Sequence, residues 1–245
     1  MEIVTRADRP DLDGQAAEVF RERWPEFIFH DDVPKKYLAR VEEFFSRYDI
    51  MVLDDDGAVV AGGWGVPVAW TGEVDDLPSG YDEAMVRAVE GHEAGTPATT
   101  LSFMAAAVST KHDRRGLATT VLRALGDRAR ADGLTRVIAP LRPTWKHRYP
   151  LVAMADYAQW TRPADGLAVD PWIRTHQRMG ARILGPAARS MVIEGTVAEW
   201  ESWADMTFPV TGDYVVPDAL NLVRIDRERD RGVYVEENLW VEHTA

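Results

Sequence analysis

Arg114-Arg115-Gly116-Leu117-Ala118-Thr119-Thr120-Val121-Leu122-Arg123-Ala124-Leu125 is the stretch that decides the fold of this chain. It follows Leu101 to Val108, a run of small and apolar residues that reads as a buried strand. Ala118, Val121, Leu122, Leu125 and Ala129 then recur on one face of a helix. A strand, a basic glycine turn and a helix N-terminus in that order make an anion site. The first-turn N–H groups have no partner inside the helix, and the helix dipole favours negative charge. Gly116 permits close approach of the backbone, and Arg114 and Arg115 add positive charge. The stretch therefore predicts a pyrophosphate cradle.

Length and composition bound what surrounds it. The chain has 245 residues, enough for one large domain or two small ones, with 46% hydrophobic and 9% aromatic content that suits a globular core. No apolar run approaches the ~20 residues of a membrane span. The opening MEIVTRADRPDLDG is charged from residue 2 and carries no apolar signal region, so a cytoplasmic protein is expected. There is no cysteine, which excludes disulfides, thiolate metal sites and a cysteine nucleophile. The formal net charge of −12 and a pI near 5.0 oppose a nucleic-acid surface, which needs clustered positive charge against phosphates. Such acidity serves solubility; read more sharply, it forms a rim that attracts a cationic amine.

Around the cradle the elements follow a readable order. Residues 2–5 read as a first strand, and Leu12, Ala16, Val19 and Phe20 mark an amphipathic helix. A second helix is expected over roughly 35–48, then a hairpin of Ile50–Leu53 and Ala58–Ala61 around Asp54-Asp55-Asp56-Gly57, running on toward Val68. Ser79 with Asp82 resembles a helix cap before a helix at about 81–93. Gly133 ends the cradle helix, and Thr135–Pro140 reads as another buried strand. Residues 141–170 have no clear period and are rich in proline and aromatics. Asp170-Pro171 starts a helix that stops at Gly180. A strand is expected around 190–194, a capping box at Thr196–Glu199, and a hairpin between Leu220–Ile225 and Val233–Val235.

This order, with Asp113-Arg114-Arg115-Gly116-Leu117-Ala118, resembles the GCN5-related N-acetyltransferase (GNAT) superfamily. The family signature is Gln/Arg-x-x-Gly-x-Gly/Ala after its fourth strand. Gly116 and Ala118 match its last two positions, and Asp113 departs from the first. The resemblance covers roughly residues 1–195 and is best between 100 and 181. It implies an α/β fold with a mixed, mostly antiparallel twisted sheet flanked by helices. Residues 1–195 form the acyl-CoA-binding domain on this reading, and 196–245 a C-terminal extension packed on it. Trp200, Trp203 and Trp240 give that extension apolar surface to extend the sheet, cover the acceptor site or build a homodimer contact.

The resemblance further implies acetyl-CoA or another acyl-CoA as donor. Arg114, Arg115, Gly116, Leu117, Ala118 and Thr119 would line its pyrophosphate, and the backbone of Ala106, Ala107 and Val108 would run beside the pantetheine arm as an added strand. Acetyl transfer needs the amine to lose a proton, a donor for the developing oxyanion, and a proton for the departing thiolate. The family often carries an acidic base on its fourth strand, but Leu101–Val108 holds no carboxylate. Glu90, Glu93 and Asp156 lie in neighbouring segments, and Ser102 is placed to hold a water. The family tyrosine that protonates the thiolate falls, counting back from Gly180, on His176, an imidazole able to give or take a proton. The aromatic insert 144–170 and the acidic segment 71–83 are expected to wall the acceptor site. No metal constellation stands out; His30-Asp31-Asp32 is the nearest cluster. The function expected is N-acetyl transfer to a small-molecule amine. The alternatives are a CoA-binding sensor that has lost catalysis, and an enzyme acting on a protein lysine or N-terminus.

Overall fold

A computed structural model describes residues 1–244. The chain begins with β1 (Glu2–Thr5), α1 (Asp13–Arg21), α2 (Asp32–Phe45), β2 (Asp49–Leu53) and β3 (Val59–Val68). The β2–β3 hairpin forms because Asp54 Oδ1 accepts the N–H groups of Asp56 and Ala58 at 3.0 and 2.9 Å, and Gly57 supplies the left-handed residue at φ +81°. α2 starts three residues earlier than its apolar period suggests, because Asp31 caps it by accepting the Val33 N–H at 2.9 Å.

Next come α3 (Tyr81–Glu93), β4 (Thr100–Val108), α4 (Leu117–Ala131) and β5 (Arg136–Leu141). The expected Ser79 cap on α3 is not formed. Gly80 holds the N-cap position, the Ser79 N–H donates to Glu83 Oε2 at 2.7 Å, and the Tyr81 N–H is met from across the fold by Ser190 Oγ at 2.8 Å. A long-range partner has taken the place of the local one. Adjacent glycines in β3 face opposite sides of the sheet. A Cβ on Gly63 would lie 2.5 Å from Val121 of α4, while one on Gly62 would meet Phe20 of α1 at 3.7 Å. The two helices thus cover opposite faces of β3.

The second half holds α5 (Met154–Tyr157), α6 (Pro171–Arg178), β6 (Arg182–Gly195), α7 (Val197–Ala204), β7 (Gly212–Tyr214), β8 (Val223–Asp226) and β9 (Arg231–Thr244). Both predicted caps are present: Asp170 on α6, and the Thr196–Glu199 box on α7. β6 is much longer than expected. Two register shifts, one at Gly185 and one across residues 187–191, break the alternation that would have marked it.

The strands form one sheet in the order β1-β2-β3-β4-β5-β9-β8-β7, with β6 on the other edge of β9. Every pairing is antiparallel except β4 with β5. That parallel ladder is short, running only from Thr100↔Arg136 to Ser102↔Ile138. β4 then bulges against β3 between Ala105 and Phe103, and the two parallel strands part. The outer edge of β4 from Phe103 onward faces a cleft. β9 pairs with β6 along one edge and with β5 and β8 along the other. Residues after 195 therefore complete the sheet that the earlier strands begin. Fully buried Trp200 and Tyr234 pack on Phe27 there, with centroids 5.8 and 5.2 Å away.

Candidate active site

The cleft between β4 and β5 has a volume of about 620 Å³, within the range of small-molecule sites. One wall is β4, where Ala105, Ala106 and Ala107 leave room for a chain to lie along the strand edge. The end of β5 and the face of α6 form the other wall, and Trp24 and Pro25 close one end.

Gly116 caps α4 in the left-handed conformation at φ +77° and makes no side-chain cap. Thr120 N–H is the first in the helix to be satisfied, by the Gly116 carbonyl at 3.1 Å. Among the described residues the amides of Leu117, Ala118 and Thr119 have no protein partner. Arg114 also has positive φ, +63°, a strained value for a side-chain-bearing residue. Arg114 and Arg115 are exposed and form no ion pair among the described residues. A cationic turn of free amides at the open end of a cleft fits a pyrophosphate, and the unpaired β4 edge fits an amide-bearing arm beside it.

Asp113 does not oppose this charge. Its carboxylate is paired with Arg23 at the end of α1, and Arg23 Nε also donates to the Val108 carbonyl at 2.6 Å. Nothing local in the sequence announces this partner, since 90 residues separate the pair. Of the residues predicted to meet the donor, Ala106, Ala107, Val108, Arg114 and Ala118 line the cleft. Arg115, Gly116 and Thr119 belong to the adjoining turn, and Leu117 sends its side chain into the core, leaving its amide.

His176 is fully buried and lines the opposite wall. α6 carries it there because Asp170 is a hub. One carboxylate oxygen accepts the Trp172 and Ile173 N–H groups at 2.8 and 3.1 Å; the other accepts the Trp145 N–H and the Tyr157 hydroxyl at 2.7 and 2.9 Å. His176 Nδ1 lies 2.8 Å from His243 Nε2, its ring stands edge-on to Trp172 at 4.6 Å, and its Nε2 has no partner among the described residues. Burial, reinforced by His243, pushes the His176 pKa well below the usual imidazole value. The ring is therefore neutral at pH 7.

Several predicted neighbours lie elsewhere. Glu90 accepts the Tyr37 hydroxyl at 2.7 Å and Glu93 pairs with Arg40, both away from the cleft, and Asp156 does not line it either. Ser102 is buried with its hydroxyl toward Met104 Sδ at 3.6 Å. The insert does not wall the site with its aromatics. Tyr149, Tyr157 and Trp160 pack on one another at 4.9 to 6.0 Å, and only Thr144 and His147 of this segment reach the cleft. Three rings bury more apolar area against each other than against a wet cleft. The acidic segment 71–83 is likewise no rim. Asp76 and Glu83 are held by Arg87, and only Tyr81 lines the cleft. His30 stacks on Trp203 while Asp31 turns inward as a cap, so that cluster points in different directions.

The carboxylates that do line the cleft, besides Asp113, are Glu236 and Asp218. Glu236 is buried and saturated by Arg142 Nε, the Tyr234 hydroxyl and Asn238 Nδ2 at 3.0, 2.8 and 2.8 Å. Asp218 keeps an exposed carboxylate at the rim, 3.9 Å from His147. Its φ of +61° is again a strained value. Asp218, Glu236 and His243 carry no motif, and sequence spacing could not have found them.

No family model matches the sequence. The chain is 32% identical to "Arginine N-acetyltransferase avaD" of Aspergillus versicolor, across 98% of this chain and 93% of that protein. Among solved structures it resembles the loading GNATL domain of CurA from Lyngbya majuscula, with TM-score 0.59 and 15% identity over 99% of this chain and 96% of that one. It also resembles the GphF GNAT-like decarboxylase in complex with isobutyryl-CoA, with TM-score 0.58 and 17% identity over 100% and 99% of the two chains. The structural likenesses establish the fold; the sequence relationship spans nearly the whole of both proteins. The chain belongs to the GCN5-related N-acetyltransferase superfamily, as an N-acetyltransferase.

Proposed function

We propose that the protein transfers acetyl from acetyl-CoA to an amino group of a small, positively charged acceptor of the arginine type. The observation that carries the reading is a neutral, buried imidazole with an unpartnered Nε2, set in a cleft whose open end is a cationic amide turn. The relative's activity and the exposed Asp218 carboxylate support a cationic acceptor. The use of acetyl-CoA, drawn from metabolism, fits a cytoplasmic location.

In this reading Arg114, Arg115 and the first amides of α4 hold the pyrophosphate, and the open edge of β4 aligns the arm. The acceptor reacts as its neutral amine, having left its proton in solvent. Its nitrogen attacks the thioester carbon, and the unpaired β4 amides beyond Ser102 face the oxygen as it gains charge. Once bonded to that carbon the nitrogen is far more acidic than a free ammonium, so even a weakly basic buried imidazole takes its proton. The C–S bond breaks, and His176 passes the proton to the departing thiolate. The net change is one N–C bond formed, one C–S bond broken and one proton moved from nitrogen to sulfur.

The test is CoA release followed with a thiol reagent, for which a chain without cysteine contributes no background. Arginine, other diamino acids, simple amines and lysine-containing peptides are compared, with mass analysis of the product. Release with arginine-like acceptors, and a raised acceptor KM in Asp218→Asn, supports the proposal. Release with peptides alone, or with no amine at all, overturns it.

A further inference from the structure

The two buried histidines cannot choose their protons independently. His176 Nδ1 and His243 Nε2 share one hydrogen bond of 2.8 Å, so one ring donates and the other accepts. Burial holds both rings neutral, with a single hydrogen each. His176 Nε2 is buried without a partner among the described residues, in a residue lining the cleft. A hydrogen there would be an orphaned buried donor, which folded proteins rarely carry, whereas a bare lone pair is the milder loss. The hydrogen of His176 therefore sits on Nδ1 and is donated to the lone pair of His243 Nε2, which leaves His176 Nε2 without a hydrogen.

We infer that His243 is a positioning residue: by accepting the Nδ1 hydrogen it holds His176 in the tautomer whose Nε2 is a bare lone pair, making His176 the proton acceptor for the attacking amine. The reverse arrangement, with His243 Nε2 donating to His176 Nδ1, would leave an unpaired N–H buried on His176 Nε2 in the cleft. The relay explains a feature of the fold as well. β9 and α6 meet where this pair sits, Phe103 of β4 packs against His243 with centroids 5.8 Å apart, and the chain's closing strand thereby reaches the reaction centre. The inference rests on the proposed role of His176.

The experiment has two parts that fail separately. Nitrogen-15 NMR of histidine-labelled protein at neutral pH reads the tautomer directly, without substrate. A pyrrole-like Nδ1 and a pyridine-like Nε2 in His176 are expected; a hydrogen on Nε2 overturns the inference whatever the activity. Kinetics of His243→Phe and His243→Gln form the second part. Outer-shell partners that orient a histidine are typically worth ~10- to 100-fold. His243→Phe should lower kcat by that factor with the acetyl-CoA KM within about twofold. His243→Gln, whose amide oxygen can still accept from Nδ1, should recover part of the loss. Wild-type kcat in His243→Phe overturns the relay. If His176→Phe keeps full activity, the reading of His176 fails instead, while the NMR result stands independently. Should the Phe variant not fold, the wild-type spectrum and the Gln variant still decide.

Discussion

Asp31 and Asp82 meet in the interior between α2 and α3, and replacing Asp82 by Asn should flatten the pH dependence of stability. Asp31 Oδ1 caps α2 and Asp82 Oδ2 accepts the Val192 N–H at 3.2 Å, so each carboxyl has one oxygen committed. The others, Asp31 Oδ2 and Asp82 Oδ1, are buried and find no conventional donor. Burial and the charge of each carboxyl on the other oppose ionising both, so the pair keeps one proton between them. Burial first, and then the neighbouring Asp31 charge, push Asp82 up to about 9 from an ordinary 3.8. A folded-state pKa above the unfolded one means the native state holds the extra proton. Its contribution to stability is complete below pH 3.8 and is lost as pH rises toward about 9. Within that window the slope is one proton, or ~1.4 kcal/mol per pH unit. From pH 6 to pH 8 the pair should therefore remove ~3 kcal/mol from the unfolding free energy. Asp82→Asn keeps an oxygen for Val192 and offers Asp31 an N–H at every pH. Asp49, also raised by burial to about 7, titrates in both proteins and cancels in the difference. Urea unfolding of wild type and variant at the two pH values gives the double difference. A variant that loses as much stability as wild type between pH 6 and 8 refutes the shared proton.

Three further outcomes are expected. Arg115→Ala should raise the acetyl-CoA KM while leaving kcat near wild type, and the penalty should shrink at high salt, because screening weakens an exposed charge contact; unchanged KM at low salt counts against the cradle. Arg23→Ala frees the Asp113 carboxylate beside the cradle and should raise the same KM by about fivefold, the scale of ~1 kcal/mol for a surface pair. Asp113→Asn in that background should restore it, and failure of the rescue would show that Arg23 matters through packing instead. Trp200→Ala empties a fully buried site against Phe27 and Tyr234 and should cost ~3–5 kcal/mol by urea unfolding; a loss under 1 kcal/mol would mean that the aromatic cluster collapses without strain.

What the sequence made legible is what local chemistry encodes. The apolar period of Val121, Leu125 and Ala129, the turn at Gly116, the Asp170-Pro171 cap and the Thr196–Glu199 box each depend on residues a few positions apart, and each stands where it was expected. What stayed hidden depends on partners far along the chain. Ser190 caps α3 from 109 residues away and displaces Ser79. Arg23 answers Asp113 from the end of another helix. Composition misled as to the aromatic insert, because Tyr149, Tyr157 and Trp160 satisfy one another. The same holds for the acidic segment, where Arg87 takes up the charge. His176 was visible only through its register to Gly180; its partner His243 sits on β9, whose pairing to β5 no local pattern records.

The double pairing of β9 bears on how the chain reaches its native state. β5, β6 and β8 all precede it, and the Arg136–Glu242 contact alone spans 106 residues. The β1–β4 meander pairs strands in sequence order and closes shorter loops, as from Thr5 to Ile50 and from Val68 to Thr100. Long loops must lose their entropy before their contacts repay it, so folding is slowed by pairings of this kind. Refolding should therefore be biphasic, with a fast phase from the meander and a slow one as β9 enters between strands already in place. Until it enters, two half-sheets expose unpaired edges to other chains. The strand that delivers His243 is thus also the step at which aggregation competes with folding.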